Sequence, residues 1–260
     1  MLLGTDVAAA LTAIEAFPEV DVIGINCATG PQEMSEHVRH LARHCTRFIS
    51  VMPNAGLPQL VEGEPRFPLA PAELARWLRE FVETDGVNIV GGCCGTTPAH
   101  IRAVRAAVGD RPPAKRNPVH EPAVSSLYQS VSLRQDQSVL IVGERCNANG
   151  SRQFRKLLEA GDLDRLVQVA GEQVREGAHV LDVCVDCVGR DGPADMRRVV
   201  DRFARDVPIP LMLDSTDPET IEAGLKLAGG SASSTRSASK TAAQSWLGSP
   251  SFCGDTGRRW

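Results

Sequence analysis

The sequence predicts an α/β chain of parallel β/α construction, and three observations carry that prediction. Short apolar runs alternate with amphipathic helical stretches. Two such series are separated by a stretch without periodicity. Residues able to do chemistry gather where the apolar runs end, which is where a β/α barrel places its sites.

In the first series, Asp21–Cys27 reads as a buried strand and Ser35–Cys45 as a helix. Phe48–Met52 is the next strand, followed by the loop Pro53-Asn54-Ala55-Gly56-Leu57-Pro58. Pro71–Asp85 is an amphipathic helix with proline in its first turn, where the missing N–H is no loss. Val87–Val90 is a third strand that runs into Gly91-Gly92. Pro98–Val108 closes the series as a helix, with Thr97 as its N-cap. Cys27, Asn54 and Cys93-Cys94 therefore stand at the ends of three successive strands.

Residues 111–137 open as Arg-Pro-Pro-Ala-Lys-Arg-Asn-Pro and then turn polar, so they read as a linker. The second series begins at Ser138. Val139–Val142 is a strand that leads into Gly143-Glu144-Arg145-Cys146-Asn147-Ala148-Asn149-Gly150-Ser151. Phe154–Glu159 and Leu163–Glu176 are helical, and His179–Val185 is the second strand, with Asp182 and Asp186 at its end. Met196–Arg205 is a helix, Pro210–Asp214 the third strand, and Asp217–Leu227 the next helix. Carboxylates, amides and a backbone-rich loop at these strand ends suit a ring that hydrogen-bonds through an amide-like edge.

Composition narrows the function. A net charge of -4 and a pI near 5.9 give no nucleic-acid surface. Charges break every apolar run before membrane-spanning length. Met1-Leu2-Leu3-Gly4-Thr5-Asp6 carries no basic n-region, so the eight cysteines are expected in a reducing compartment, the cytoplasm. There, thiols serve metals or packing more often than disulfides.

Adjacent Cys93 and Cys94 cannot readily pair with each other, but they can offer two thiolates to one metal, with Cys27 as a third. Three thiolates on zinc with an open fourth position is a catalytic arrangement, and the open position would accept and acidify a substrate thiol. The bland alternative is three buried strand-end thiols acting as small hydrophobes. Cys45, Cys146, Cys184, Cys187 and Cys253 are read as packing or incidental residues. Within Cys184-Val185-Asp186-Cys187 the two sulfurs would point to opposite strand faces. Asp182, Asp186 and Asp214 either contact a ligand or satisfy loop amides at a barrel mouth. The six histidines fall mostly on helical or linker positions and read as solvated.

INCATGPQEM (25–34), VMPNAGLP (51–58) and NIVGGCCGTTPAHI (88–101) resemble the last three strand ends of the homocysteine-binding barrel of cobalamin-dependent methionine synthases. VGERCNANGSRQFRKLL (142–158), GAHVLDVCVDCVGRDG (177–192) and PLMLDSTDPETIEAGLK (210–226) resemble the first three units of that family's pterin-binding barrel. The resemblance implies two partial (β/α)8 TIM-type barrels joined by a linker, both truncated. Residues 1–110 would be the end of the homocysteine barrel, 111–137 the linker, and 138–230 the start of the pterin barrel. It implies zinc on Cys27, Cys93 and Cys94, with homocysteine as acceptor. It also implies 5-methyltetrahydrofolate held near Glu144, Asn147, Asp182 and Asp214, and cobalamin bound by a further domain.

A whole β/α barrel takes roughly 250 residues, so the chain is expected to be a fragment that needs further strands and a cobalamin domain for turnover. Ser231–Trp260 lacks apolar periodicity and is read as a disordered, frameshifted tail. An offset reading of permitted codons there yields Ile-Val-Asn-Ser, similar to the family's next strand. Two rival functions stay open: a non-catalytic remnant, and a cobalamin-independent homocysteine methyltransferase, against which the second β/α series counts.

Overall fold

The computed structural model describes residues 4–234 of the chain, which divide into two compact units. Pro18–Glu121 form the first, and residues 4–17 with 122–234 the second. Both are α/β, with parallel sheets at their centres. Among the described residues no helix is long and apolar enough to cross a membrane.

The chain opens with α1 (Val7–Glu15), capped by the Asp6 carboxylate, and this helix packs against the second unit. The first unit begins with β1 (Val22–Asn26), α2 (Pro31–His44) and β2 (Phe48–Met52). A small antiparallel pair follows, β3 (Gln59–Val61) and β4 (Glu64–Arg66), then α3 (Pro71–Glu83), β5 (Ile89–Val90) and α4 (Pro98–Val108). Proline stands at the start of all three helices α2, α3 and α4. That is why α2 begins at Pro31, four residues before the periodicity alone shows it.

The sheet order is β1-β2-β5, parallel throughout, with Val22 opposite Phe48 and Ser50 opposite Ile89. Its two faces differ. Ile23, Ile49 and Val51 are buried, as are Leu74, Leu78 and Phe81 along one stripe of α3. On the other face Val22, Phe48 and Ile89 are exposed, Phe48 by 59%.

Residues 112–121 do not leave the first unit. Ala114 N–H donates to Val82 O, and the Arg116 guanidinium donates to the carbonyls of Cys45 and Arg47, both at 2.6 Å. The polar stretch after them is not irregular either. It forms a hairpin of β6 (Ala123–Ser125) and β7 (Ser130–Ser132) in the second unit. Serines offer no apolar alternation, so the pattern does not show these strands.

The second unit continues with β8 (Val142–Asn147), α5 (Arg152–Ala160), α6 (Leu163–Arg175), β9 (Val180–Cys184), α7 (Gly192–Asp206), β10 (Leu211–Asp214), α8 (Pro218–Leu225) and β11 (Ser233–Ser234). Sheet order is β11-β10-β9-β8, all parallel. One face carries Leu181, Val183, Leu211 and Leu213 into a core shared with Phe154, Leu166, Val200 and Phe203 of the helices. On the opposite face, Val180 and Met212 are buried with Val124 of the hairpin. Here the face of the sheet away from the helices has a cover.

Strand boundaries in this unit also differ from the pattern. Strand β8 lies later than Val139–Val142, because a register shift between Gly143 and Cys146 lets Glu144 and Arg145 bulge before pairing resumes. Regular structure also runs past Gly230. Met212 and Leu213 pair with Ser233 and Ser234, since a strand edge offers backbone groups to any sequence. Gly230 permits this at φ +97°, where a Cβ would lie 2.4 Å from Ser125 O. The remainder of the expected tail, 235–260, lies outside the described residues.

Candidate metal centre and strand-end polar row

The first unit brings Cys27, Cys93 and Cys94 together. Cys27 follows β1, and its N–H donates to Met52 O at the end of β2. Cys93 N–H donates to Pro53 O at 2.9 Å, and Cys94 N–H to the Asn54 side-chain oxygen at 3.1 Å. Asn54 is buried, so its amide is a fixed part of the β2 end. Parallel register thus carries three separate chain segments to one place.

The sulfurs of Cys27 and Cys94 are 3.6 Å apart, those of Cys93 and Cys94 4.0 Å, and all three lie within 4.8 Å of one another. A disulfide needs about 2.05 Å, and all three cysteines are free. Thiolates on a tetrahedral zinc, with Zn–S about 2.3 Å, stand about 3.8 Å apart. The donor set and its spacing fit that ion. Among the described residues this is the only group of three or more His, Cys, Asp and Glu side chains so placed.

Backbone strain accompanies the centre. Cys27 and Ala28 both sit at φ +63°, a region costly for residues with a Cβ. The Ala28 N–H donates to the Cys27 sulfur and holds its thiol below the ordinary value, with Cys94 and Cys93 adding to the effect. Cys94 responds oppositely. Its hydrogen bond to Cys27, then that to Cys93, pushes its thiol up to about 11. A cation at the centre would favour the thiolate form of its ligands.

His100 departs from the solvated reading, being only 7% exposed. It stands three residues after the N-cap Thr97, at the position that Glu or Gln takes in a capping box. Its Nδ1 accepts from Thr97 N–H at 3.2 Å, and its Nε2 lies 2.9 Å from Leu69 O. The sequence signal for it was this N3 position after a capping threonine.

In the second unit, Asn147, Asp182 and Asp214 share the face that the hairpin covers lower down. Asn147 pairs with Cys184, Asp182 with Met212, and Asp214 with Cys184. The Asn147 amide donates to Asp182 Oδ2 at 2.8 Å, while its oxygen accepts from the N–H groups of Asn149 and Gly150. Asp182 and Asp214 are buried. Asp186, beside them, accepts from Ser215 Oγ at 2.7 Å and Thr216 N–H at 3.1 Å, as a loop-satisfying carboxylate does. Glu144 is not brought into this row. It lies exposed in the bulge, lining an open cleft of about 570 Å³ with Arg145, Gln173 and Glu176.

Gln173 holds that bulge and was not foreseen. Its side chain accepts Arg145 N–H at 2.7 Å and donates to Cys146 Sγ at 3.2 Å. A buried glutamine in the stripe Leu166, Val169, Ala170, Gln173 was the available signal. Cys45, Cys146 and Cys184 are buried, in line with packing roles; burial pushes Cys146 up to about 12 and Cys184 to about 11.

A thiol trio thus stands at one set of strand ends and an acid–amide row at another. Residues 1–108 match the homocysteine S-methyltransferase family, and residues 143–233 match the pterin binding enzymes. More particularly, the chain is homologous to part of methionine synthase. It is 54% identical over 230 residues to the Mycobacterium tuberculosis enzyme and 51% identical over 235 residues to that of Mycobacterium leprae. Each alignment covers 88% of this chain, which spans 19% of the length of either relative. A pyruvate carboxylase structure from Rhizobium etli aligns over 85% of this chain and 20% of its own, with 14% identity and a TM-score of 0.26, too low to bear on fold or function.

Proposed function

We propose that this chain contributes to methyl transfer from 5-methyltetrahydrofolate, through cobalamin, to homocysteine, giving methionine. The observation that carries the proposal is the gathering of Cys27, Cys93 and Cys94 sulfurs within 4.8 Å at the ends of parallel strands. The first unit would be an arc of a (β/α)8 barrel, and the second the opening arc of another. Exposed Val22, Phe48 and Ile89 on what would be the inner barrel face support this. The division into 1–110, 111–137 and 138–230 belongs to the same proposal. Further strands and a cobalamin domain would come from outside this sequence, and the chain alone is expected not to turn over. Reduced thiols call for a reducing compartment, so the cytoplasm is proposed.

Zinc held by Cys27, Cys93 and Cys94 would supply a Lewis acid that lowers the pKa of the homocysteine thiol. The chain's own part is to keep three sulfurs convergent, which the Met52, Pro53 and Asn54 contacts do. In the second unit, Asp182 and Asp214 offer acceptors to the N–H edge of a pterin ring, and Asn147 offers an amide. Buried carboxylates of this kind favour protonation of the donor nitrogen N5 as its methyl leaves. Glu144 would approach such a ligand from the bulge.

A cobalamin-independent transferase has no use for the second unit, and the pterin-binding match counts against it. The exposed face of the first sheet is what favours a non-catalytic remnant. Zinc content and folate binding together test the proposal. Purified full chain should carry about one zinc per molecule, lost in Cys27→Ser, Cys93→Ser and Cys94→Ser. Titration calorimetry with methyltetrahydrofolate should show binding that Asp182→Asn weakens. A metal-free chain, or zinc retained by all three variants, would sink the proposal.

A further inference from the structure

We propose that His100 is a positioning residue for the three-sulfur centre, acting through the loop between β4 and α3. The inference rests on the zinc reading above. A continuous set of hydrogen bonds connects the two places. His100 accepts at Nδ1 from Thr97 N–H, so the proton belongs on Nε2, which donates to Leu69 O at 2.9 Å. Leu69 N–H in turn donates to Ala55 O at 2.9 Å, and Ala55 N–H to Cys94 O at 2.9 Å. Cys94 is thus held on both backbone groups, by Asn54 at its N–H and by Ala55 at its carbonyl.

The loop has little freedom to settle elsewhere. A Cβ on Gly95, at φ +76°, would lie 2.2 Å from the Phe67 ring, so Phe67 lies directly against the turn that follows Cys94. A capping box needs only an acceptor at this helix position. A histidine whose second nitrogen reaches another segment does more than cap.

The substitutions separate the two roles. His100→Glu keeps an acceptor for Thr97 N–H but has no proton for Leu69 O. His100→Gln keeps both, and His100→Ala neither. In the full chain, zinc affinity is measured by chelator competition, and the Co²⁺-loaded protein is followed by its thiolate charge-transfer and d–d absorption. Supporting groups around a metal site are commonly worth about 10–100-fold in affinity. A loss in that range is expected for His100→Glu and His100→Ala, with an altered Co²⁺ spectrum, and recovery in His100→Gln. Wild-type affinity and spectrum in a folded His100→Glu chain overturn the inference. So does unfolding of His100→Glu beside a folded His100→Gln, because the histidine then serves stability alone. If the wild-type chain shows no thiolate–cobalt bands, the zinc reading itself has failed, an outcome distinct from either.

Discussion

Cys27 and Cys94 hold their sulfurs 3.6 Å apart, yet their acidities shift in opposite directions. Ala28 N–H stabilises the Cys27 thiolate, whereas the hydrogen bond to Cys27, then that to Cys93, pushes the Cys94 thiol up to about 11. A lowered pKa means more thiolate at a given pH, and the accompanying loss of nucleophilicity is the smaller effect. In metal-free protein near neutral pH, iodoacetamide should therefore modify Cys27 before Cys94, although Cys94 is the more exposed. Cys146 and Cys184 should react only on unfolding, since both are buried and raised to about 12 and 11. Peptide mapping by mass spectrometry over a time course reads the order. Cys94 reacting first would show that access outweighs acidity here. The residue types of the trio were legible in the sequence. The φ +63° at Cys27 and Ala28 was not, because no local pattern demands it. Strain of this kind gathers at functional sites and persists where the surrounding structure over-determines it.

At the scale of elements, the bulge in β8 depends on one side chain from α6. Gln173 takes the place of a ladder partner for Arg145 N–H and is itself buried. Gln173→Ala leaves that donor without its acceptor and should destabilise the second unit by about 1–3 kcal/mol, read from urea unfolding. A change below about 0.5 kcal/mol would mean that water replaces the amide. Most helices could be placed from apolar spacing and from prolines at their first turns. The β6–β7 hairpin and β11 could not. Their strands are built largely from serine, and what orders them is pairing: Ser125 N–H to Ser231 O, and Met212 and Leu213 beside Ser233 and Ser234. Backbone hydrogen bonding of this kind leaves no mark on composition.

The two sheets, taken each as a whole, differ in how the face away from the helices is covered. The hairpin buries Val180 and Met212 in the second unit. In the first unit Val22, Phe48 and Ile89 remain exposed on parallel strands whose outer edges have no further strand beside them among the described residues. An apolar face beside open edges promotes self-association. Phe48→Ser should leave unfolding stability within about 0.5 kcal/mol of the parent and reduce light scattering at high concentration. A loss of about 3 kcal/mol or more would show instead that Phe48 is covered in solution.

By itself, the sequence determined the α/β class, the two series of strands and helices, and the residue types at their ends. Periodicity and proline placement suffice for that, because they are local. It also presented Cys27, Cys93 and Cys94 as candidates. Only the tertiary structure decided that their sulfurs converge, that Asn147 bonds Asp182 while Glu144 stands apart in a bulge, and that His100 is buried against Leu69. Each of those is a relation between segments distant along the chain. Strand register and loop packing set such relations, and neither is written in any one stretch of residues.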